Sequence, residues 1–166
     1  SLELPAPTLQ RAPAALARRL LGALGESVAV AASQSPEELL IAGAPDALAR
    51  LAQAAAAQGA SARQLGLGVP FHSPALEPGA AFAAALSGLR PRATTIPLIS
   101  TLTGALADGA AMDGGWWARQ LWRPVRFREA VAAAGAGLFV ELGPRSTLRR
   151  AIQESLGDAA ERSSTL

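Results

Sequence analysis

Residues 27–43 read SVAVAASQSPEELLIAG, and this stretch decides the fold of the first half of the chain. Two short runs of Val, Leu, Ile and small residues flank Gln34, Ser35 and Pro36, a turn-forming cluster. The pattern predicts a β-hairpin with strands over 27–33 and 38–43. Upstream, Pro13 opens a helical stretch, APAALARRLLGALG. Leu16, Leu20, Leu21 and Leu24 recur on one face of it, and Gly25 supplies a C-cap. Residues 2–7 (LELPAP) predict a short edge strand, because Pro5 and Pro7 exclude a central one. Downstream, Pro45 and Asp46 begin an alanine-rich helix that stops at Gly59. ARQLGLGV, residues 62–69, alternates as a last strand. The order β-α-β-β-α-β is the split βαβ, or ferredoxin-like, arrangement.

Past Phe71 the pattern changes. Residues 74–89 predict a helix with Phe82, Leu86 and Leu89 on one side. IPLISTLTG, residues 96–104, predicts a strand ending in a turn, and GGWWARQLWRPVRF is aromatic-rich and interrupted by proline. REAVAAAGAG predicts a helix, LFVELG (138–143) a continuous apolar strand of the fully buried kind, and Pro144 to Leu156 a final helix. GDAAERSSTL, residues 157–166, reads as a tail or linker. The fold class is α/β (α+β).

Bulk composition narrows the functions. The chain has 166 residues, half of them hydrophobic, which suffices for a sizeable core. No apolar run reaches the eighteen or so residues of a membrane span, and no segment reads as a signal peptide. Cysteine is absent, which excludes disulfides and thiolate metal sites and fits a cytoplasmic protein. All fifteen basic residues are arginine, yet the net charge is only +2. They are dispersed, with no basic stripe interleaved with aromatics, so nucleic acid and membrane are not expected partners.

One histidine, His72, lies in GVPFHSP between a predicted strand and a predicted helix. A lone imidazole cannot hold a catalytic metal by itself, so the chemistry open to it is proton transfer. A base needs a nucleophile. Ser27 in Gly25-Glu26-Ser27 lies between a helix and a strand, not on a strand-to-helix elbow, and Ser73 is adjacent in sequence. Glu77 and Glu141 are the nearest carboxylates for orienting the ring, although Glu141 also reads as a satisfied strand-end group. Trp116, Trp117 and Trp122 read as packing or interface residues. Phosphate-cradling glycine motifs are absent.

GVPFHSP, IPLISTLTG, WWARQLWRPVRFREAV and LFVELGPRSTL follow one another in this order. Together they resemble the C-terminal half of the malonyl-CoA:acyl carrier protein transacylase family, which includes the acyltransferase domains of polyketide synthases. VAVAASQSPEELLIAGAPDAL is similar to the hairpin and second helix of that family's small subdomain, so the resemblance covers residues 14–156. It implies a ferredoxin-like small subdomain over 1–71, the C-terminal part of an α/β-hydrolase-like large subdomain over 72–156, and a tail over 157–166. It implies transfer of a malonyl-type acyl group from coenzyme A to the phosphopantetheine thiol of an acyl carrier protein, through a Ser-His dyad. His72 matches the family histidine. The backbone carbonyl of Gln120, in ARQLWRP, matches the group that replaces a triad carboxylate. Phe71, and with it Val69, matches the positions before the histidine that track extender choice. Phenylalanine there goes with malonyl, while Val69 and Pro70 depart from the family's usual forms.

The resemblance implies no covalently bound cofactor. It places the serine in a GHSxGE elbow well upstream of the histidine. Only 71 residues precede His72, and the small subdomain uses nearly all of them. The elbow is therefore expected on an N-terminal half outside these residues, and without it His72 alone should be inactive. That half, a carrier protein and an adjacent ketosynthase are the implied partners. Two other readings remain open: a vestigial acyltransferase-like domain serving as a structural or docking element, and an unrelated small α+β binding module.

Overall fold

A computed structural model describes residues 8–11, 18–19, 21–22, 28–65, 69–76, 78, 80–135, 137–157 and 164–165. Its main sheet carries strands β1 (Thr8–Arg11), β2 (Val28–Ser33), β3 (Glu38–Gly43), β4 (Ser61–Gln64) and β7 (Val125–Arg126) in the order β4-β1-β3-β2-β7. The first four pair antiparallel, which is the ferredoxin-like order. β7 joins the β2 edge in parallel, Ala32 facing Val125, and so attaches the second half of the chain to the first.

The hairpin forms where its pattern places it. Leu39 and Ile41, two apart on β3, point to one face of the sheet and are buried there. Helix α1 (Pro45–Ala56) lays Leu48 and Leu51 on them, and Val28 and Ala47 complete the cluster. Pro45 sits in the first turn of α1, where its missing N–H is not needed. A bulge between Val30 and Ala32 leaves Ala31 as the extra, fully buried residue.

The turn of this hairpin ties the two halves together. The Gln34 and Ser35 amides both donate to the Glu38 carbonyl, and Ser35 Oγ accepts from the Glu37 amide. The same hydroxyl donates to Glu154 at 2.6 Å, and Ser155 Oγ donates to the Gln34 carbonyl, so helix α5 (Arg149–Leu156) docks on the turn. Ala151 and Ile152 of α5 and Ala130 and Val131 of α4 (Phe127–Ala134) are buried as these helices pack together.

Several elements differ from expectation. Residues 2–7 lie outside the described part. The strand in their neighbourhood is Thr8–Arg11, and it lies between β4 and β3 instead of at an edge. Thr8–Arg11 is free of proline and can pair on both sides. Of the helix expected from Pro13, residues 18–19 and 21–22 are helical and the others lie outside. The strand expected over 62–69 ends at Gln64. The helix expected over 74–89 is a 3-10 turn, Pro74–Leu76, and a short helix α2 (Ala80–Ala85), with Pro78 between them. β5 spans only Leu98–Ser100, after Pro97, and pairs with β6 (Ala105–Ala107).

The strand expected to be buried over 138–143 is a further correction. Only Leu138–Phe139 (β8) is extended and paired, and Leu138, Val140 and Leu142 are 53%, 58% and 93% exposed. Its partner is β9 (Ser164–Thr165), a two-residue strand inside the expected tail 157–166. Phe139 between them is half-buried, so Leu138, Val140 and Leu142 are the apolar side chains that face outward.

Candidate active site

His72 sits in a left-handed backbone conformation, φ 60°, and is the one non-glycine residue with positive φ among those described. Such a conformation costs about 1–3 kcal/mol and persists only where its surroundings impose it. Three contacts do so. Ser73 Oγ donates to the Pro70 carbonyl at 2.8 Å, with Ser73 only 3% exposed. The His72 amide donates to the Leu121 carbonyl at 2.8 Å. The ring Nδ1 lies 3.2 Å from the Arg123 carbonyl oxygen.

Two of those acceptors belong to the end of helix α3 (Gly114–Trp122). Asp113 caps its start by accepting from the Trp116 amide at 2.8 Å. Gly114 lies so close to α2 that an added Cβ would stand 2.7 Å from the Ala83 carbonyl. Trp116 is buried beneath. The helix stops because of Pro124. The residue before a proline is driven to extended backbone, and Arg123 is extended at φ −73°, ψ 145°. Its amide still closes the last turn on Arg119, while its carbonyl leaves the helix direction. An outside donor can therefore reach it, and His72 does.

This corrects the acceptor. The carbonyl at the imidazole is that of Arg123, three residues beyond Gln120, which lies inside the last turn of α3. Phe71 stands beside the histidine, 41% exposed, its ring centroid 6.5 Å from the imidazole at a 47° tilt. Val69 is half-buried two residues earlier, across the fully buried Pro70.

The other expected groups fall elsewhere. Glu77 and Ser27 lie outside the described residues. Ser73 commits its proton to Pro70. Glu141 closes the loop before α5. It accepts from the Thr147 amide at 2.8 Å, the Thr147 hydroxyl at 2.9 Å, and the Leu148 amide and Ser146 hydroxyl at 3.2 Å. The Thr147 amide is the main reason that its carboxyl is held below the usual carboxylate range. The tryptophans divide: Trp116 is buried, Trp117 is exposed, and Trp122 carries the Arg123 guanidinium 4.1 Å above its ring. Among the described residues no three His, Asp or Glu could jointly hold a metal ion, and no helix is long and apolar enough to cross a membrane.

With this geometry in place, comparison with known proteins is decisive. The family model described as the acyl transferase domain matches residues 7–165. The chain belongs to the acyltransferase domain family of polyketide synthases. It is 38% identical over 141 residues to mycoketide-CoA synthase of Mycobacterium tuberculosis, covering 82% of this chain and 3% of that protein. It is 35% identical over 153 residues to a spectinabilin polyketide synthase system protein of Streptomyces orinoci, covering 90% and 4%. Among solved structures, the acyltransferase domain from module 8 of the salinomycin polyketide synthase superposes with a TM-score of 0.91 at 30% identity, over 98% of this chain and 40% of that one. The acyltransferase domain of an iterative polyketide synthase in enediyne biosynthesis gives 0.81 at 36%, over 100% and 43%. The chain thus spans well under half of these solved domains and a few per cent of the multidomain relatives.

Proposed function

We propose that this chain is the histidine-bearing part of a polyketide synthase acyltransferase. It completes its dyad with a serine elbow carried by a preceding segment outside these residues. Residues 1–71 form the small subdomain and 72–156 its share of the large one, with Ser164–Thr165 of the segment 157–166 paired on β8. The observation that carries the proposal is the lock on His72: a strained backbone held by α3, with Nδ1 on the Arg123 carbonyl. A carbonyl only accepts, so Nδ1 keeps the proton and Nε2 presents its lone pair.

In the first half-reaction Nε2 takes the proton of the serine hydroxyl as its oxygen attacks the thioester carbonyl of acyl-CoA. The C–S bond breaks, the imidazolium returns the proton to the departing coenzyme A thiolate, and an acyl-serine remains. In the second, the phosphopantetheine thiol of a carrier protein gives its proton to Nε2 and attacks the acyl-serine. The C–O bond breaks and the serine oxygen recovers the proton. The Arg123 carbonyl, in place of Gln120, fixes the tautomer that a triad carboxylate otherwise fixes. Phe71 and Val69 line the entrance to the acyl pocket, and the bulk of Phe71 favours malonyl over branched extenders. The carrier protein and a neighbouring ketosynthase are the partners this reading requires.

The test is malonyl transfer to a phosphopantetheinylated carrier protein by the chain joined to its serine-bearing segment. His72→Ala should lower the transfer rate by about 10²–10⁴-fold, the usual contribution of a positioned acid–base. Activity within a few fold of the parent would remove His72 from the mechanism.

A further inference from the structure

The carbonyl that faces His72 is tied to the first half of the chain by a short path. Arg123 precedes Pro124, so that carbonyl and the proline nitrogen lie in one planar unit. The proline ring fixes its own φ. A single soft torsion, ψ of Pro124, then separates this plane from the peptide of Val125, and Val125 is paired to Ala32 of β2. β7 is two residues long, and β2 is its only strand neighbour among the described residues. The Arg126 amide is taken by the Thr101 carbonyl, within the half that carries His72, so β2 supplies the hold from the other half.

β2 runs directly into the turn that meets α5. Ser33 faces Arg126, and Gln34 and Ser35 follow it. Ser35 is fully buried, and its hydroxyl donates to Glu154 Oε2 at 2.6 Å, a short bond to a charged acceptor. Arg150 Nε donates to the other oxygen, Oε1, at 2.6 Å and orients the carboxylate from its own helix. Ser155 Oγ donates to the Gln34 carbonyl at 3.3 Å. α5 packs on α4, and α4 begins at Phe127, the residue after β7. The turn, α5, α4, β7 and β2 thus close a ring, and Arg123 stands two residues before β7 enters it.

The contact at the imidazole has little slack. At 3.2 Å, Nδ1 and the Arg123 oxygen stand at the long limit of an N–H···O bond, and a displacement of about 0.4 Å would end it. We infer that Ser35 and Glu154 are positioning residues for the dyad. Their bond sets how the first-half sheet meets β7, and through Pro124 it sets whether the Arg123 carbonyl reaches the ring. This rests on the reading in which Nδ1 keeps its proton on that carbonyl. With the bond broken, the two-residue pairing is left to hold β7 against the first half, and the acceptor shifts with it.

The experiment reads the His72 ring by ¹⁵N-edited NMR, at a temperature where circular dichroism shows each variant folded. His72 is the only histidine, so the signals belong to one residue. The neutral parent ring should be mainly Nδ1–H. Ser35→Ala and Glu154→Ala should lower the ratio of Nδ1–H to Nε2–H by about two- to twelve-fold, the worth of one neutral hydrogen bond. Glu154→Gln keeps an oxygen for Ser35 to donate to and should hold the parent's ratio. Leu51→Ala, which weakens the core under α1 and leaves the Ser35–Glu154 bond in place, should hold it too. The Glu154 side chain is 19% exposed, so Glu154→Ala carries the test if Ser35→Ala, at a fully buried position, fails to fold. The parent's ratio in the alanine variants at 35 and 154, or an equal fall in Leu51→Ala, overturns the inference and leaves the dyad role of His72 standing. A parent ring mainly in the Nε2–H form overturns the underlying reading as well.

Discussion

Replacing Ser73 by alanine asks whether the turn behind the imidazole is held by one hydroxyl. Ser73 Oγ donates to the Pro70 carbonyl at 2.8 Å, and both residues are buried. The alanine leaves that carbonyl without its partner in a dry place, at a cost of about 1–3 kcal/mol. For a chain of this size each kcal/mol moves Tm by about 2–4 °C, so the expected drop is about 2–12 °C. The same turn holds His72 at φ 60°. Once it is loosened, the backbone relaxes toward negative φ and the ring leaves the Arg123 carbonyl. His72 is the only histidine, so ¹⁵N-edited NMR of the imidazole reports on one residue. In its neutral form the parent ring should show the Nδ1–H tautomer, and Ser73→Ala should shift toward the Nε2–H form. A variant that melts with the parent and keeps its tautomer would refute the clamp.

Ile41→Ala removes a fully buried side chain from the cluster under α1 and should cost about 2–5 kcal/mol in denaturant unfolding. Gly114→Ala drives a methyl to 2.7 Å from the Ala83 carbonyl and 3.2 Å from Leu86 Cβ. It should destabilise by about 1–3 kcal/mol, and an unchanged melting curve would mean that α2 yields freely. Glu141→Gln probes pH. The carboxyl of Glu141 is depressed in the folded chain, so its stabilising effect is full above its unfolded value near 4.5 and disappears as pH falls through the lower folded value. The parent should be the more stable at pH 7, with the gap closing as pH falls below that unfolded value; a gap constant across that range would refute the cap.

The legible parts of the fold were those fixed locally. The hairpin 28–33 and 38–43 arises from short apolar runs around Gln34-Ser35-Pro36, and Leu39 and Ile41 are buried on one face of it. α1 arises from its alanine content and from Pro45 and Asp46 at its start. Leu138–Leu142 was harder, because an apolar run reports what a segment is suited to pack against, not whether that layer is present among the described residues. β7 was not anticipated. A two-residue pairing leaves almost no periodic signal, and its position depends on the Arg126 amide reaching Thr101.

The acceptor at His72 was the least legible feature, for a reason particular to backbone chemistry. Every residue of ARQLWRP owns a carbonyl, so side-chain identity cannot say which one faces the ring. The discriminating signal is Pro124. A proline ends the helix and extends the residue before it, which turns that residue's carbonyl away from the helix while those further back still point along it. Position 123 is selected by the proline after it, and nothing at this contact constrains its own side chain. A dyad oriented by a carboxylate would have consumed an acidic side chain and brought a buried charge with it. Orientation by a carbonyl leaves the side chain at the same position free, and here that side chain is an arginine stacked on Trp122. A proline-to-alanine change at 124 should therefore disturb the acceptor that holds the ring.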